Sequence, residues 1–340
     1  MSSKKIPVAI IGASGYTGLE LLKLLIVHPI FEIAYIGNSE GGIEVEELHP
    51  SLKGVLNQEV LKSDASKIAK VADLAFLALP HKTAMGFASE LLEKGVKVVD
   101  LSADYRLELD TYEKHYCKHI DKKNLSNAIY GLPEFYRNEI KNSSLVANPG
   151  CYPTAALLSL LPFCDLIDEN YPIFIDAKSG VSGAGKKCTQ KTHFVSVDEN
   201  IFAYNPLMHR HEPEIKEKMK KQSNRDFDIN FVPHLLPIIR GEMVDSYMLL
   251  KDENIEPLKV LREFYKDEKF IRIYDKPVDM KTPSGTNFCD IFAKVVGKKL
   301  YLNSAIDNIL RGSSSQAVVN ANIMFGFCED LGIPTIAYVP

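Results

Sequence analysis

The sequence predicts an α/β protein in two parts, a parallel-sheet domain followed by an α+β domain, with a C-terminal helix that returns to the first. Three observations predict it. At 340 residues the chain exceeds one ordinary domain. Its first half alternates short apolar runs with amphipathic helical stretches, the pattern of a parallel sheet covered on both faces. Its second half is dominated by strand-like runs with fewer helices.

Composition bounds the function. Hydrophobic content is 46% and charged content 25%, the balance of a soluble globular protein with length enough for a sizeable core. Forty basic against 44 acidic residues leave a net charge of −4, which is no footprint for nucleic acid or an anionic membrane. The best apolar stretch, around 155–167, is broken by Pro162 and Asp165, so no membrane span is expected. Met1-Ser2-Ser3-Lys4-Lys5 leads straight into a strand-like run without a signal-peptide core. The six cysteines (117, 151, 164, 188, 289 and 328) form no CxxC pair, which argues against zinc or disulfides and for a reducing cytoplasm.

Pro7-Val8-Ala9-Ile10-Ile11 reads as a buried strand and runs into Gly12-Ala13-Ser14-Gly15-Tyr16-Thr17-Gly18. A helix follows, with Leu19, Leu22, Leu25 and Ile26 on one face, ending near His28-Pro29. Strand, glycine turn and helix in that order are the setting of a Rossmann-type dinucleotide fingerprint. Glycines let the backbone approach a pyrophosphate, and the helix N-terminus favours its charge. The spacing is G-x-x-G-x-x-G, a variant of the commoner form; the plain alternative is a glycine turn with no ligand.

The next strand spans 33–36 and is followed by Gly37-Asn38-Ser39. An NAD-preferring site usually carries an acid at the end of this strand. Here Glu32 precedes the strand and Glu40 lies beyond the turn, which leaves room for the 2′-phosphate of NADP with Ser39 or Asn38 as donors, although no Arg is near. A strand at 73–79, a helix at 83–94 and a strand at 96–101 continue the βα pattern. Three polar segments fall at strand ends, where ligands gather in such sheets: Leu79-Pro80-His81, Ser102-Ala103-Asp104-Tyr105-Arg106 and Tyr130-Gly131-Leu132-Pro133-Glu134. Arg106 is a candidate clamp for a carboxylate or phosphate, or equally a surface ion pair.

The chemistry is placed at Asn148-Pro149-Gly150-Cys151-Tyr152-Pro153-Thr154. Leu145-Val146-Ala147 before it reads as a strand, and 155–161 after it as a helix with Pro153 at a permitted first-turn position. A cysteine on a Pro-Gly turn at a helix N-terminus is set to ionise and act as a nucleophile toward an acyl group. A buried, inert cysteine is the alternative.

Beyond it, a strand at 173–177 runs into Lys178-Ser179-Gly180-Val181-Ser182-Gly183-Ala184-Gly185-Lys186-Lys187. Such a loop offers backbone donors and positive charge to an anion, though its spacing is not that of a P-loop, and an unliganded flexible loop would look the same. In His209-Arg210-His211-Glu212-Pro213-Glu214-Ile215, Pro213 is expected to start a helix, with His211 just before it. A histidine there could move protons at neutral pH; a surface cluster is the alternative, and no third ligand stands at metal spacing. Strands are expected at 243–250, 288–296 and 300–302. The helix at 313–325 has no strand partners of its own and is expected to pack on the first domain. The domains are accordingly drawn as 1–148 with 311–340, and 149–310.

Taken together, these motifs resemble the N-acetyl-gamma-glutamyl-phosphate reductases of arginine biosynthesis and, more distantly, the aspartate-semialdehyde dehydrogenase superfamily. The resemblance runs through the glycine turn at 12–18, Leu79-Pro80-His81, Leu101-Ser102-Ala103-Asp104-Tyr105-Arg106-Leu107, Tyr130-Gly131-Leu132-Pro133-Glu134 and the 148–154 stretch. It continues through the 178–185 loop, His209-Arg210-His211, Pro213-Glu214-Ile215 and Ala305-Ile306-Asp307-Asn308.

The resemblance implies a cytoplasmic homo-oligomer, dimer or tetramer, that reduces N-acetyl-L-glutamyl 5-phosphate to the semialdehyde with NADPH. Cys151 would form the thioester. His211, or failing it His209, would be the acid/base, and Glu214 would orient the imidazole or pair with Lys218. Arg106, Arg240, Ser182 and Glu214 are the implied substrate contacts. Gly12, Ser14, Gly15, Tyr16, Thr17, Gly18, Ser39, Pro80, Ser179, Gly180 and Asn308 are the implied cofactor contacts, with Gln316 near the nicotinamide; no metal is implied.

The chain departs from the family pattern at Met208, where glycine is usual, at Lys82 after His81, and in lacking Arg after the second strand. The close enzymatic alternative is a reductase of aspartyl phosphate or N-acetyl-aminoadipyl phosphate, since pocket volume sets the length of substrate accepted. A non-catalytic NADP sensor would keep the Rossmann half alone.

Overall fold

The computed structural model describes residues 5–338; residues 1–4, which open the N-terminal stretch discussed above, and the last two lie outside it. The chain divides into two compact units, Met1–Pro149 with Ser313–Ile333, and Gly150–Gly312 with Pro334–Pro340. The stretch from Pro334, drawn with the first domain from the sequence, groups with the second. Its backbone is tied there, since the Asn287 amide donates to the Pro334 carbonyl at 3.1 Å.

The first unit contains β1 (Ile6–Ile11), α1 (Tyr16–Ile26), β2 (Phe31–Asn38), β3 (Ile43–Glu44), β4 (Glu59–Lys62) and β5 (Leu74–Leu77). It continues with α2 (Ala84–Glu93), β6 (Lys97–Asp100), β7 (Ile129–Tyr130), α3 (Pro133–Lys141) and β8 (Leu145–Ala147). The strands form one sheet in the order β3-β4-β2-β1-β5-β6-β8-β7, parallel throughout except for the β3–β4 pair. β1 sits where the order reverses, so the crevice at its carboxyl end is where a doubly wound sheet takes its ligand.

Alternation along the strands sends Ala9, Ile11, Ala75, Leu77 and Val98 to one face, where they pack with Ala88 and Leu91 of α2. The other face is left to α1 and to the returning helix Ser314–Met324, which packs against α1, α3 and β6. That helix is buried along its whole length; Gln316, Asn320 and Asn322 each donate from the side-chain amide nitrogen to a carbonyl inside, while their amide oxygens are buried without a partner among the described residues.

The second unit is built on α4 (Cys151–Leu160), β9 (Ile173–Gly180), β10 (Phe202–Ala203), α5 (His211–Ser223), β11 (Ile229–Leu236) and β12 (Glu242–Leu249). α6 (Pro257–Phe264), β13 (Ile271–Ile273), β14 (Cys289–Val296) and β15 (Lys299–Ile306) complete it. Its mixed sheet runs β10-β11-β9-β12-β15-β14-β13. α4 lies on one face, against β12 and β15, and every residue of it after Cys151 is buried. The opposite face carries exposed Phe174, Tyr247 and Val296, and a groove of about 460 Å³ there is lined by Tyr171, Phe174, Tyr247, Val296 and Tyr301 among others.

Element ends differ from the sequence reading in three informative places. α4 begins at Cys151 itself and α5 at His211, each before its proline. β9 runs on to Gly180, so Lys178, Ser179 and Gly180 lie in the sheet rather than in a loop. Among the described residues no helix is long and apolar enough to cross a membrane, no group of three His, Cys, Asp or Glu is placed to hold a metal, and no disulfide joins any of the cysteines.

Candidate active site

Two separate sets of residues carry chemistry, one in each unit. In the first unit β1 delivers the chain into Gly12, whose φ of +92° suits glycine. A Cβ here would lie 2.2 Å from the Ala78 carbonyl oxygen at the end of β5, so Gly12 is required by the protein itself. Gly15 is different: a Cβ there would meet nothing closer than 4.0 Å, so the fold leaves its surface open. Gly15 is the N-cap of α1 and supplies no side-chain cap to the first amides of the helix. Those N–H groups are suited to a pyrophosphate.

At the end of β2, the Asn38 side-chain oxygen accepts from the Glu40 and Gly41 amides (2.9 and 2.6 Å). Its Nδ2 is thereby turned to the Ser14 hydroxyl at 3.4 Å. The position that would hold a carboxylate in an NAD-preferring site thus presents an N–H donor. Ser39 and Pro80 are exposed at strand ends and Tyr16 is 40% exposed. Thr17 instead meets the start of the returning helix, its carbonyl accepting from the Ser314 hydroxyl at 3.2 Å. Gln316 is buried and donates to the Gly131 carbonyl at 3.1 Å.

The segment after β6, read as a ligand loop, is wired internally. Asp100 takes the Ser102 hydroxyl and amide (2.7 and 3.0 Å), and burial, then the nearby Asp104 charge, lift its pKa to about 7. Arg106 is buried, with Nε on the Asn148 carbonyl and Nη2 on the Leu101 carbonyl, both at 2.8 Å. It therefore ties β6 to the end of β8.

In the second unit Cys151 is the first residue of α4 and Gly150 its N-cap, with no side-chain cap. The Gly150 amide is held by the carboxylate of Glu214, on the first turn of α5, at 2.9 Å. The Thr154 hydroxyl donates to the Gly150 carbonyl at 2.8 Å. The turn before the cysteine is thus fixed on both of its peptide groups. Lys218, the alternative partner weighed for Glu214, pairs with Glu217 at 2.8 Å.

The two histidines differ. The His209 Nδ1 accepts from the His211 amide at 3.2 Å, and its ring packs among Tyr152, Tyr204 and Phe231 at 5.4–5.9 Å. Burial, then the adjoining Arg210 charge, push its pKa down to about 4. His209 is therefore a neutral, locked ring at physiological pH. His211 stands at the first position of α5, half-buried, with its ring 5.8 Å from that of Tyr152, the residue next to Cys151.

The remaining residues of the second unit are placed as follows. Lys178 points to the open sheet face and is held by Asp176 and Asp245, each at 2.7 Å. Ser179 is buried and its hydroxyl donates to the Gly180 carbonyl at 3.1 Å. Asn308 accepts from the Gly241 amide and donates to the Ser182 hydroxyl, at 2.8 and 2.9 Å. The Arg240 guanidinium lies 3.4 Å from Asp307 and 5.6 Å from the centre of the Tyr338 ring.

Sequence reasoning gave no role to Glu242, Asp307 or Gly312. Glu242 is fully buried at the start of β12, neither of its carboxyl oxygens hydrogen-bonded among the described residues, and burial lifts its pKa to about 8. A signal was present: Glu242 stands in phase with inward-facing Val244, Ser246 and Met248, a charged type on the core side of a strand. A Cβ on Gly312 would lie 2.7 Å from the Cys151 Cβ, so glycine there makes room for the cysteine.

The chain matches the model of the semialdehyde dehydrogenase NAD-binding domain over residues 7–143 and that of the semialdehyde dehydrogenase dimerisation domain over 151–308. It is 58% identical to the N-acetyl-gamma-glutamyl-phosphate reductase of Sulfurovum sp., covering 98% of this chain and 100% of that one. It is 56% identical to the protein of the same name from Wolinella succinogenes, covering 99% and 100%. Among solved structures it is similar to aspartate semialdehyde dehydrogenase with NADP from Candida albicans, with a TM-score of 0.72 at 14% identity over 95% of this chain and 99% of that one. At that identity the likeness is one of fold.

Proposed function

The chain belongs to the semialdehyde dehydrogenase family, among the N-acetyl-gamma-glutamyl-phosphate reductases, and from that premise we propose how its own residues carry the reaction. The substrate is N-acetyl-L-glutamyl 5-phosphate and the products are the 5-semialdehyde and phosphate, a step of arginine biosynthesis. The observation that carries the reading is Cys151 at the first position of α4, on a turn clamped by Glu214. A thiol so placed is favoured as thiolate by the helix N-terminus and is held still for attack.

Cys151 attacks the acyl carbon, forming the C–S bond while the C–O bond to phosphate breaks. His211 takes the thiol proton and, once the acyl group is reduced, returns it to the sulfur as the carbonyl re-forms and the C–S bond breaks to release the semialdehyde. His209, neutral and locked, positions the start of α5 through the His211 amide. NADPH, when bound, supplies the hydride. The residues suited to hold it are the Gly12–Gly18 turn with its uncapped helix amides, and Asn38, Ser14 and Ser39 for the 2′-phosphate. The neutral donor at Asn38 supports NADP where an acid would repel its phosphate.

Arg240 and Ser182 are the nearest candidates in the second unit for the substrate's anionic groups. Arg106, spent on two carbonyls, is read as a brace. The open face of the second sheet, with Phe174, Tyr247 and Val296 exposed, suits self-association through the unit whose family model is a dimerisation domain. Six cysteines without a disulfide among them support a reducing cytoplasm as the working compartment.

The test is the reverse reaction: NADP reduction by purified protein with N-acetyl-glutamate semialdehyde and phosphate, beside aspartate semialdehyde. Turnover that requires phosphate, prefers the N-acetyl substrate and vanishes in Cys151→Ser is expected. Preference for aspartate semialdehyde would move the substrate, and activity surviving in Cys151→Ser would remove the nucleophile.

A further inference from the structure

Asp307, just beyond β15, is a fully buried acid to which the chemistry above gives no part. Its Oδ1 accepts from the Ile309 and Leu310 amides, both at 3.1 Å, the local turn that an Asp side chain closes on the backbone ahead of it. Its Oδ2 accepts from the Gly285 amide at 2.8 Å and lies 3.4 Å from Nη1 of Arg240. Burial lifts its pKa above the usual carboxylate range, opposed first by Arg240 and then by those three amides. The carboxylate that faces the guanidinium is therefore immobile.

Arg240 is held from its other end by the next residue. The side-chain oxygen of Asn308 accepts from the Gly241 amide, directly after the arginine, at 2.8 Å. Gly180 lets β9 pass against the Arg240 backbone, since a Cβ there would lie 2.9 Å from the Arg240 Cα. Two consecutive residues thus set one arginine, Asn308 at the root and Asp307 at the tip. The guanidinium also stands 5.6 Å from the centre of the Tyr338 ring, and a Cβ on Gly285 would collide with that ring. The residue whose amide anchors Asp307 therefore makes room for Tyr338 as well. Ordering a long side chain costs rotamer entropy, and here the fold has ordered it before any ligand arrives.

We propose that Asp307 is a positioning residue for anion recognition, presetting the guanidinium of Arg240 in the orientation that takes an anionic group of the substrate. Asp307 does not touch the substrate and acts through Arg240, so the inference rests on Arg240 being a substrate contact. A preset fork of donors matches a carboxylate or phosphate with little ordering left to do. Without the acid, the charge of Arg240 remains but its direction is no longer set.

The experiment is a double-mutant cycle over Asp307→Asn, Arg240→Gln and the two combined. KM for phosphate and for N-acetyl-glutamate semialdehyde is measured in the reverse reaction, beside kcat and the melting temperature. Asp307→Asn keeps an oxygen for the Ile309 and Leu310 amides and removes the charge; Arg240→Gln keeps a donor and removes the fork. Arg240→Gln is expected to raise one of the two KM values by about tenfold or more, as for a lost hydrogen bond to a charged group. The value that rises names the anion it holds. Asp307→Asn should raise the same KM by about three- to tenfold and change kcat by less than about twofold, with the double variant no worse than Arg240→Gln alone. An acid that only braces the fold would add its effect to that of Arg240→Gln and spread it over kcat and both KM values. Additive effects, or a KM unmoved in Asp307→Asn, overturn the proposal and leave Arg240 as a substrate contact. Both KM values unmoved in Arg240→Gln remove that contact and the proposal with it. Should Asp307→Asn not fold, Asp307→Ser, whose hydroxyl can close the same turn, takes its place in the cycle. If neither folds while Arg240→Gln does, Asp307 serves the fold alone and the proposal falls.

Discussion

The carboxylate of Glu214 holds the backbone amide of Gly150 at 2.9 Å, across 64 residues of sequence. One acid on the first turn of α5 therefore fixes the turn that ends in Cys151, the proposed nucleophile. Removing it leaves a buried N–H without its acceptor, at a cost of about 1–3 kcal/mol, and frees the cysteine to drift. Glu214→Ala is expected to lower the melting temperature and to cut kcat at least about tenfold, since small misplacements of reacting groups are expensive. Glu214→Gln, which keeps an acceptor oxygen, should retain most of both. Thermal melts and initial rates on the two variants check this.

The two histidines should separate cleanly. His211→Asn is expected to lower kcat by about 10²–10⁴-fold, the range for a lost acid/base group. His209→Phe should act on stability through pH. The unfolded chain takes up a proton on this histidine near 6.5, the folded chain only near 4. Between those values the unfolded state binds more protons, so wild-type stability falls as pH drops through that window. His209→Phe should lose that part of the slope, read by urea titrations at several pH values.

The outline of the molecule was legible because it rests on local patterns: apolar runs, glycine turns and the absence of strand partners for the last helix. The strand, turn and helix that carry Cys151 were legible because they are written in consecutive residues. Arg106 and Glu242 were not, for one physical reason. Whether a charged side chain faces a ligand or a carbonyl depends on which distant segment lies beside it. Arg106 finds the Asn148 carbonyl 42 residues on, and Glu242 is buried between Ser179 and Ile306 from distant strands. The strand phase of Glu242 was readable in sequence, but its neighbours were not. Lys178 shows a related case: a one-strand extension of β9 turned an expected loop lysine toward Asp176 and Asp245.

The glycines of the nucleotide turn should part into two kinds. Gly12→Ala places a methyl group 2.2 Å from the Ala78 oxygen at a φ of +92°, and is expected to unfold or strongly destabilise the first unit. Gly15→Ala has space, its nearest atom being 4.0 Å away. It should leave the melting temperature near wild type while raising KM for NADPH by about tenfold, through crowding of the helix amides proposed to hold the pyrophosphate. Equal KM values for wild type and Gly15→Ala would remove this turn from the cofactor site.

Tyr247 is 47% exposed in the middle of the open sheet face, on the rim of the apolar groove. A central aromatic on such a face is where association energy concentrates. Tyr247→Glu is expected to weaken self-association by about 100-fold or more and to shift the mass measured by light scattering toward the monomer. Glu32→Gln, on an exposed position of the first unit, should leave the mass unchanged.

Gly312 decides how closely the chain may pass Cys151. An added Cβ would lie 2.7 Å from the cysteine's Cβ and 2.5 Å from the Asn308 carbonyl oxygen. Real side chains do not approach so closely, so either Cys151 or the backbone at Asn308 must give. The Asn308 side chain in turn holds the Gly241 amide and the Ser182 hydroxyl, next to Arg240 and Glu242. A shift on that side would reach the candidate substrate contacts, and a shift on the other would move the sulfur. Gly312→Ala is therefore expected to lower kcat by about 10–100-fold by either route. The alkylation rate of Cys151 tells the routes apart: it changes if the sulfur has moved and holds if the Asn308 segment has yielded. NADP affinity, measured by fluorescence, should stay within about twofold of wild type, because the glycine turn proposed to bind the pyrophosphate belongs to the other unit.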